Sequence, residues 1–332
     1  MSEPRTVSVV LPTLNERSFI TDCLESLERQ DHPGLIEILV IDGGSTDGTR
    51  QLAERFGARV RVVDNPRVTA AAAMTVGIDA ARGAVICRAD AHTLYRHDYV
   101  ARCVAVLDET GAANVGGRMR PVGTTAFGRA VAAVTASPFG VGPGRFHYAE
   151  ERQEVDTVYL GCWKRSTLVD AGGYDETDLQ WAAEDQELNF RIRRNGGRIV
   201  LDPSITTHYF PRETPKALWR QYRNYGVAKA STLAKHHTLP TWRPLVPAAL
   251  VSATFLGLIF GRGAARVAVP LVHAGACGKV AFAFGRDDPG VAPHRALAAV
   301  EICHWSYGLG FWRGIWQIVA GRRFENRPSG HR

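Results

Sequence analysis

The 332-residue sequence lacks the glycine-rich motifs that define two common classes of nucleotide-binding protein. Neither a G-x-x-x-x-G-K-[ST] loop nor a G-x-G-x-x-G loop follows the first strand-like run, Val7 to Leu11. These loops hold the phosphates of ATP or of a dinucleotide. Their absence therefore disfavours an ATPase and a dinucleotide-dependent dehydrogenase.

The sequence also has no C-x-x-C pair among its six cysteines and no signal peptide at its start. Several of the cysteines lie within apolar runs, which is typical of reduced, buried thiols. Met1 is followed by polar residues and then by a strand-like run, without an apolar leader segment. These features predict a catalytic domain in the cytosol. The cysteines are Cys23, Cys87, Cys103, Cys162, Cys277 and Cys303.

Acidic residues are scarce in the last third of the chain. Residues 216–332 contain 16 Lys and Arg against 4 Asp and Glu, whereas residues 1–215 contain 24 against 29. The net charge of +7 is therefore concentrated near the C-terminus, where basic residues flank long apolar runs. This pattern favours an anionic membrane surface over nucleic acid as the partner.

The N-terminal part alternates short apolar runs with segments of helical spacing. This β-α-β-α-β-α-β order predicts an α/β fold with a parallel sheet, helices on both faces and right-handed crossovers. The four strand-like runs are Val7 to Leu11, Ile36 to Ile41, Arg59 to Val63 and Ala84 to Cys87.

Polar loops follow three of these runs, at Thr13 to Glu16, Asp42 to Thr49 and Asp90 to His92. In open parallel sheets, ligands bind beyond the carboxyl ends of the strands. A D-x-H pattern alone is weak, because an Asp that ends a strand is often a turn or a helix cap. Three polar loops at one sheet edge favour a binding site, in which Asp90 and His92 hold a cation and a diphosphate.

A second acidic feature is the adjacent pair Glu184 and Asp185, which follows Trp181 and begins a helix that runs to Arg194. Acidic residues also stabilise helix N-termini through the helix dipole. The residues alone therefore leave a catalytic role and a structural role equally open.

Together these stretches resemble glycosyltransferase family 2, whose members are inverting enzymes with a GT-A fold. The resemblance covers about Val7 to Gly226, and the apolar C-terminus is most similar to membrane-bound succinoglycan-type glucosyltransferases. It is carried by Leu11-Pro12-Thr13-Leu14-Asn15-Glu16, Ile41-Asp42-Gly43-Gly44-Ser45-Thr46-Asp47-Gly48-Thr49, Asp90-Ala91-His92, and Gly172-Gly173-Tyr174-Asp175-Glu176 followed by Glu184-Asp185.

The resemblance implies Asp185 as the catalytic base and Asp90 and His92 as metal ligands. His208, placed just past a predicted last strand at Arg198 to Leu201, is a third candidate ligand or a structural histidine. Arg67 is a candidate phosphate or base contact or a solvated side chain. The donor-binding set is Pro12, Thr13, Asn15, Glu16, Asp42, Arg67 and Asp90; the acceptor-side set is Glu184, Trp181, Gln221 and Arg223.

The sequence departs from the family pattern at two positions. The family commonly has paired aspartates where this chain has Asp42 and Gly43, which affects base recognition. The metal motif ends in His92 instead of Asp. Because imidazole suits manganese better than magnesium, the expected cofactor is Mn²⁺, with Mg²⁺ as the alternative.

The C-terminal third contains two apolar stretches, Pro244 to Gly261 and Ala264 to Phe284, near the about 20 residues that span a bilayer. A third, Ala296 to Ala320, has the mixed composition of an interfacial helix. A soluble helical subdomain is the alternative. The predicted organisation is a GT-A domain with a Rossmann-like, mostly parallel sheet (1–215), a basic interface segment (216–243), a membrane hairpin with an interfacial helix (244–322) and a polar tail (323–332).

The expected function is metal-dependent, inverting transfer of a hexose from a nucleotide-sugar, taken to be a UDP-sugar, to a lipid-linked saccharide or glycolipid. The expected location is the cell membrane, with the catalytic domain on the cytoplasmic side and no nucleic-acid partner. A polyprenyl-phosphate sugar transferase and a non-catalytic sugar-nucleotide-binding scaffold remain alternatives. A nucleotidyltransferase would need a basic triphosphate-binding loop, which Pro12 to Glu16 does not provide.

Overall fold

The computed structural model describes residues 5–142, 144–177, 182–238, 242 and 244–321. Their contacts divide the chain into two compact units. The first unit comprises the described parts of Met1–Arg120 and Gly144–Tyr209, and the second those of Pro121–Pro143 and Phe210–Gly330.

The first unit is built on a nine-stranded sheet with the order β3-β2-β1-β4-β8-β6-β9-β5, in which β7 also pairs with β9. In chain order the strands are β1 (Val7–Thr13), β2 (Leu35–Asp42), β3 (Val60–Asp64), β4 (Val85–Arg88), β5 (Thr93–Tyr95), β6 (Asn114–Pro121), β7 (Gln153–Glu154), β8 (Tyr159–Lys164) and β9 (Ile199–Tyr209).

Twelve α-helices occur in the described part of the chain, with short 3₁₀ turns at Arg145–His147 and Gly263–Arg266. They are α1 (Ile20–Glu28), α2 (Thr49–Ala53), α3 (Ala70–Ala80), α4 (Tyr99–Thr110), α5 (Ala126–Thr135), α6 (Pro138–Val141), α7 (Arg165–Asp170), α8 (Glu184–Arg194), α9 (Pro215–His236), α10 (Leu245–Phe260), α11 (Ala268–Asp287) and α12 (Pro293–Val319).

The sheet has a parallel half and an antiparallel half. Strands β1 to β4 pair in parallel, since α1, α2 and α3 provide the crossovers that parallel neighbours require. The pairs β4–β8, β6–β8, β5–β9 and β7–β9 are antiparallel. The predicted α/β fold with helices on both faces is confirmed, but the sheet is mixed where a mostly parallel sheet was predicted. Strand direction was not readable because both halves are built from similar short apolar runs.

Alternate residues of β1 supply the cores on the two faces of the sheet. Val9 and Leu11 pack in a buried cluster with Leu24 of α1. Val10 points to the opposite face and packs in a cluster with Met74 of α3. All five side chains are fully buried, so β1 is covered on both faces, as a central strand of an α/β sheet requires.

The second unit is helical, and α12 packs along α9. The two helices approach closely where glycines replace side chains. A Cβ on Gly226 of α9 would lie 2.1 Å from the Tyr307 carbonyl oxygen, and one on Gly310 of α12 would lie 2.1 Å from the Arg223 carbonyl oxygen. Backbone-to-backbone packing of this kind is common between membrane helices. The exposed face of α12 carries Trp312.

Apolar side chains remain exposed on α10 and α11. Phe260 of α10 is 75% exposed and Val272 of α11 is 74% exposed. By length and composition, α11 qualifies as a candidate membrane span, with a mean hydropathy of 1.3 over its most apolar 18-residue window. The 16-residue helix α10 is shorter than the about 20 residues needed to cross a bilayer.

Candidate active site

The first two polar loops of the sheet edge are joined by hydrogen bonds. The backbone amide of Asn15 donates to the Ser45 hydroxyl (2.9 Å), and the Thr46 amide donates to Oδ1 of Asn15 (2.9 Å). The Glu16 amide donates to the Thr49 hydroxyl at 2.8 Å. Pro12 and Thr13, which end β1, lead directly into this pair of loops. The two loops, which are about 30 residues apart in the chain, are therefore held together at the edge of the sheet.

Asp42, predicted to bind the donor, stabilises the loop that follows it through its side chain. Its carboxylate accepts hydrogen bonds from the backbone amides of Gly44 (3.2 Å) and Ser45 (3.2 Å). The adjacent Gly43 is crowded, since a Cβ at this position would lie 3.2 Å from the Val68 carbonyl oxygen. A side chain at this position would require the Val68 backbone to shift by a few tenths of an ångström.

His92 lies between two carboxylates at the end of β4. Its Nδ1 atom is 3.3 Å from Oε1 of Glu16 and 3.3 Å from Oδ1 of Asp90. The His92 ring is buried and lies 5.3 Å from the ring of Tyr209 between centroids. The Asp90 side chain keeps 28% of its surface exposed. The structure thus groups Asp90 with His92, as predicted, and adds Glu16, which sequence reasoning had assigned only to donor binding.

His208 is not part of this group. The predicted last strand, Arg198 to Leu201, continues as β9 to Tyr209, so His208 lies within the strand instead of beyond it. Successive side chains of a strand point to opposite faces, and it is Tyr209 that contacts His92. Burial, then the charges of Arg120 and Arg96, lower the pKa of His208. These neighbouring cations do not favour a metal ion at His208.

The acidic pair begins α8, and its two members have different surroundings. Glu184 is buried and forms an ion pair with Arg88, whose Nη2 lies 2.9 Å from Oε1. Burial raises the pKa of Glu184, an effect that Arg88 opposes and Asp185 reinforces. Asp185 is half-buried, and its Oδ1 accepts a hydrogen bond from the Gln186 amide (2.7 Å). Within the described chain no cation is paired with Asp185, so this carboxylate is the one that remains available to a substrate.

Sequence reasoning missed Arg88 as a site residue. Burial lowers its pKa, but the surrounding Glu184, Tyr174, Asp185 and Asp90 outweigh this effect and raise it well above its ordinary value. Arg88 therefore stays charged. It lies between Asp90 and the pair Glu184 and Asp185. A signal was present, because an arginine that ends an apolar strand two residues before Asp90 has to find an anionic partner.

Arg67 lies on the loop after β3, where it is half exposed. Its Nη1 forms an ion pair with Oε2 of Glu176 at 2.6 Å. This contact connects the loop to the stretch Gly172 to Glu176, which the family resemblance had placed on the acceptor side. Arg67 is thus a link between two loops of the first unit.

Three non-glycine residues beside the site have a left-handed backbone. They are Asn15 (φ 55°), Val68 (φ 67°) and Ala183 (φ 61°), the last directly before Glu184. Such conformations cost about 1–3 kcal/mol each and concentrate at functional sites, where surrounding structure enforces them. The strain at Val68 and Ala183 supports a functional role for the segments they belong to.

The remaining acceptor-side residues belong to other parts of the structure. Trp181 lies outside the described residues. Gln221 and Arg223 are on α9 of the second unit. Nε2 of Gln221 donates to the Tyr225 hydroxyl at 3.2 Å. Burial and the nearby Arg313 and Arg220 lower the pKa of Arg223, so three guanidinium groups cluster there.

Comparison with known proteins identifies the family to which this chain belongs. Residues 8–159 match the family model for glycosyl transferase family 2. The succinoglycan biosynthesis protein ExoA of Rhizobium meliloti (strain 1021) is 32% identical over 314 residues, which cover 92% of this chain and 94% of ExoA. The chain is therefore a glycosyltransferase. It belongs to glycosyltransferase family 2.

A second relative comes from Methanococcus voltae. It is a dolichyl N-acetyl-alpha-D-glucosaminyl phosphate 3-beta-D-2,3-diacetamido-2,3-dideoxy-beta-D-glucuronosyltransferase, 26% identical over 247 residues, with 71% of this chain and 76% of the relative covered.

Solved structures share the GT-A fold. The mannosyltransferase PcManGT of Pyrobaculum calidifontis, in complex with GDP-Man and Mn²⁺, has a TM-score of 0.56 at 21% identity. The match covers 92% of this chain and 88% of the PcManGT chain. Residues 1–349 of S. aureus TarS, in complex with UDP, give a TM-score of 0.52 at 18% identity over 96% of this chain and 93% of TarS. The predicted family and fold are confirmed.

Proposed function

We propose that this protein is a metal-dependent, inverting hexosyltransferase that moves a sugar from a nucleotide-sugar, with UDP as the preferred carrier, to a lipid-linked saccharide or glycolipid. The observation that carries the proposal is the grouping of Glu16, Asp90 and His92 at the same sheet edge as the pair Glu184 and Asp185, with Arg88 between them. The names of ExoA and of the M. voltae enzyme support a saccharide acceptor in polysaccharide or glycolipid synthesis.

The ligand atoms at Asp90 and His92 fit a divalent cation. Ligands about 2.1 Å from an octahedral ion lie about 3.0 Å apart in neighbouring positions. The 3.3 Å separations of His92 Nδ1 from Asp90 and from Glu16 are close to this value. Asp90 and His92 would hold the ion, and Glu16 would complete the site or orient His92. The imidazole favours Mn²⁺ over Mg²⁺. When bound, the cation neutralises the charge that develops on the departing diphosphate.

The acceptor hydroxyl must lose a proton as it attacks the anomeric carbon. We assign this proton to Asp185, because it lacks a cationic partner within the described residues, whereas Glu184 is buried against Arg88. Glu184 and Arg88 position the start of α8, and thereby the Asp185 carboxylate. Direct displacement by a single base inverts the anomeric configuration, which is the stereochemistry expected for the family.

The acceptor is proposed to be anchored in a membrane. Exposed apolar side chains on α10 and α11, and the candidate span α11, support association of the second unit with lipid. The cluster of Arg220, Arg223 and Arg313 would attract an anionic phosphate of a lipid-linked acceptor. Confinement of enzyme and acceptor to one surface raises their effective concentration. The catalytic unit would face the cytoplasm, where nucleotide-sugars are made.

The sharpest test combines a donor screen with one substitution. Full-length protein in detergent is exposed to a panel of nucleotide-sugars with and without Mn²⁺, and donor binding is read by thermal shift. Transfer to a lipid-linked saccharide is then measured for the wild type and for Asp185→Asn. We expect metal-dependent donor binding in both proteins and transfer lowered about 10²–10⁴-fold in the variant.

Two results would contradict the assignment. Wild-type turnover in Asp185→Asn would exclude this carboxylate as the base, and donor binding without any transfer by the wild type would favour a sugar-nucleotide-binding scaffold. A product that carries one sugar on polyprenyl phosphate would identify the rival polyprenyl-phosphate transferase.

A further inference from the structure

Four side chains with metal-ligating atoms face one another between α11 and α12 of the second unit. His273 and Cys277 lie one turn apart on α11, and Glu301 and His304 lie one turn apart on α12, so each pair shares a helix face. Nε2 of His273 is 2.9 Å from Nδ1 of His304 and 3.5 Å from Sγ of Cys277. The ligand atoms of the two histidines and Cys277 all lie within 4.8 Å of one another.

An oxygen atom lies near the outer nitrogen of each histidine. Nε2 of His304 lies 2.9 Å from the Phe139 carbonyl oxygen, and Nδ1 of His273 lies 3.3 Å from Oε2 of Glu301. The indole N–H of Trp305 donates to the same carboxylate oxygen at 2.6 Å. A carbonyl oxygen only accepts hydrogen bonds, so Nε2 of His304 carries the ring hydrogen and its Nδ1 keeps a lone pair. Nδ1 of His273 also lies 3.8 Å from Sγ of Cys277.

The lone pair of His304 Nδ1 faces His273. Nε2 of His273 lies 2.9 Å away, so the two nitrogens either share a proton or can both direct a lone pair at one cation. A histidine whose second nitrogen donates to a carboxylate or a carbonyl is the usual form of a metal-bound imidazole.

We propose that His273, His304 and Cys277 form a binding site for a zinc-class divalent cation. Imidazole and thiolate ligands suit Zn²⁺, and ligands about 2.0–2.3 Å from a tetrahedral ion lie about 3.3–3.6 Å apart. The 3.5 Å separation of sulfur and nitrogen fits this range, and the two nitrogens would move apart slightly when the ion enters. The thiol of Cys277 loses its proton on binding.

Glu301 is a positioning residue of this site. Its Oε2 orients His273, while Oε1 is buried and has no hydrogen-bond partner among the described residues. Oε1 would accept a hydrogen bond from a water in the fourth coordination position. The site differs from the proposed catalytic cation site in its ligands, because Glu16, Asp90 and His92 contain no sulfur.

The site would fasten α11 to α12. Most of α11 is exposed, and Cys277 and Ala281 are its buried residues, so the helix has little apolar packing of its own. A metal bound by both helices would add to the packing of Cys277 and Ala281 against α12. The inference does not depend on the proposed function, since its ligands and its measurement are separate from transfer.

Cobalt substitution tests the proposal. Full-length protein, purified in detergent through a tag without histidine, is stripped with a chelator and titrated with Co²⁺. We expect a thiolate-to-cobalt absorption band that Cys277→Ser abolishes, together with a Zn²⁺-induced rise in melting temperature that this variant loses. Cys303→Ser, which removes another buried thiol of the second unit outside the cluster, serves as the control and should keep both signals.

Two further variants make the result independent of one substitution. His304→Gln should also remove the band, whereas Glu301→Gln should retain it with affinity weakened about 10–100-fold. Absence of the band in the wild type, or a band that persists in both Cys277→Ser and His304→Gln, would overturn the site. The first result would indicate that the two histidines share a proton instead of a metal ion. The second would indicate that the metal binds at other thiols, such as Cys87, Cys103 and Cys162.

Discussion

The edge of the sheet in the first unit and the cluster between α11 and α12 in the second both gather potential metal ligands, but their chemistry differs. The sheet edge offers carboxylates and one imidazole, with Asp90 partly open to solvent. The helical cluster offers two imidazoles and a buried thiol. Oxygen-rich, open sites suit exchangeable ions that accompany phosphates, whereas sulfur-containing, enclosed sites suit permanently bound ions. The comparison therefore predicts an exchangeable, catalytic ion at the sheet edge and a permanently bound, structural ion in the helical cluster.

The largest expected effect is on the buried ion pair beside the catalytic edge. Arg88→Met should lower the free energy of unfolding by about 3–5 kcal/mol, because Glu184 would be left charged and buried. Chemical denaturation measures this loss.

The double variant Arg88→Met with Glu184→Gln should recover part of the stability, since no uncompensated charge remains. The exposed pair of Arg198 with Glu154 provides the control, and Arg198→Met should change stability by less than about 1 kcal/mol. Equal losses for the two arginine variants would show that Arg88 does not depend on its buried partner.

The next effect concerns metal-dependent chemistry at the sheet edge. Asp90→Asn should lower transfer at least about 100-fold, because the developing diphosphate charge loses its stabilisation. The thiolate-to-cobalt band of the helical cluster should be unchanged in this variant. Loss of both signals in Asp90→Asn would break the proposed separation of the two regions.

Metal preference adds to this test. In a full titration the wild type should be more active with Mn²⁺ than with Mg²⁺, whereas His92→Asp should become more tolerant of Mg²⁺. Equal wild-type activity with both ions would remove His92 as the basis for metal choice.

The packing of the second unit should respond to added volume at one glycine and not at another. Gly310→Ala should lower the free energy of unfolding by about 1–3 kcal/mol, because its Cβ would lie 2.1 Å from the Arg223 carbonyl oxygen. Gly278→Ala on α11 is the matched control, since no atom of the described residues lies within 4 Å of the position of its Cβ. Thermal unfolding in detergent distinguishes the two, and a similar loss in both variants would refute the close helix contact.

The smallest effect concerns acid stability of the first unit. Burial lowers the pKa of His147 from 6.5 to about 3. The unfolded chain therefore binds a proton below pH 6.5 that the folded protein does not bind, and stability is lost as the pH falls from 6.5 towards 3. His147→Gln should reduce the loss by at most about 2 kcal/mol at pH 5, less to the extent that the ring contacts water. Denaturation at pH 7 and pH 5 measures the difference, and equal pH dependence in both proteins would contradict the shift.

Part of the active site could be predicted because it depends on chain order. The loops at Thr13 to Glu16, Asp42 to Thr49 and Asp90 to His92 follow consecutive parallel strands, and such strands bring their carboxyl ends to one edge. Arg88 and the second role of Glu16 could not be predicted, since both depend on side chains that meet only after folding. The position of His208 could not be predicted, because β9 extends eight residues beyond Leu201 and it is Tyr209 that lies against His92.

The sequence by itself determined the family, the α/β fold class and the positions of the polar loops, because these depend on periodicity, turn chemistry and motif spacing along the chain. The tertiary structure decided which half of the sheet is antiparallel and which carboxylate, Glu184 or Asp185, is paired with a cation among the described residues. It also decided that His273, Cys277 and His304 meet across two helices. The reason is physical: hydrogen-bond direction, ion pairing and ligand grouping are set by three-dimensional packing between segments far apart in sequence.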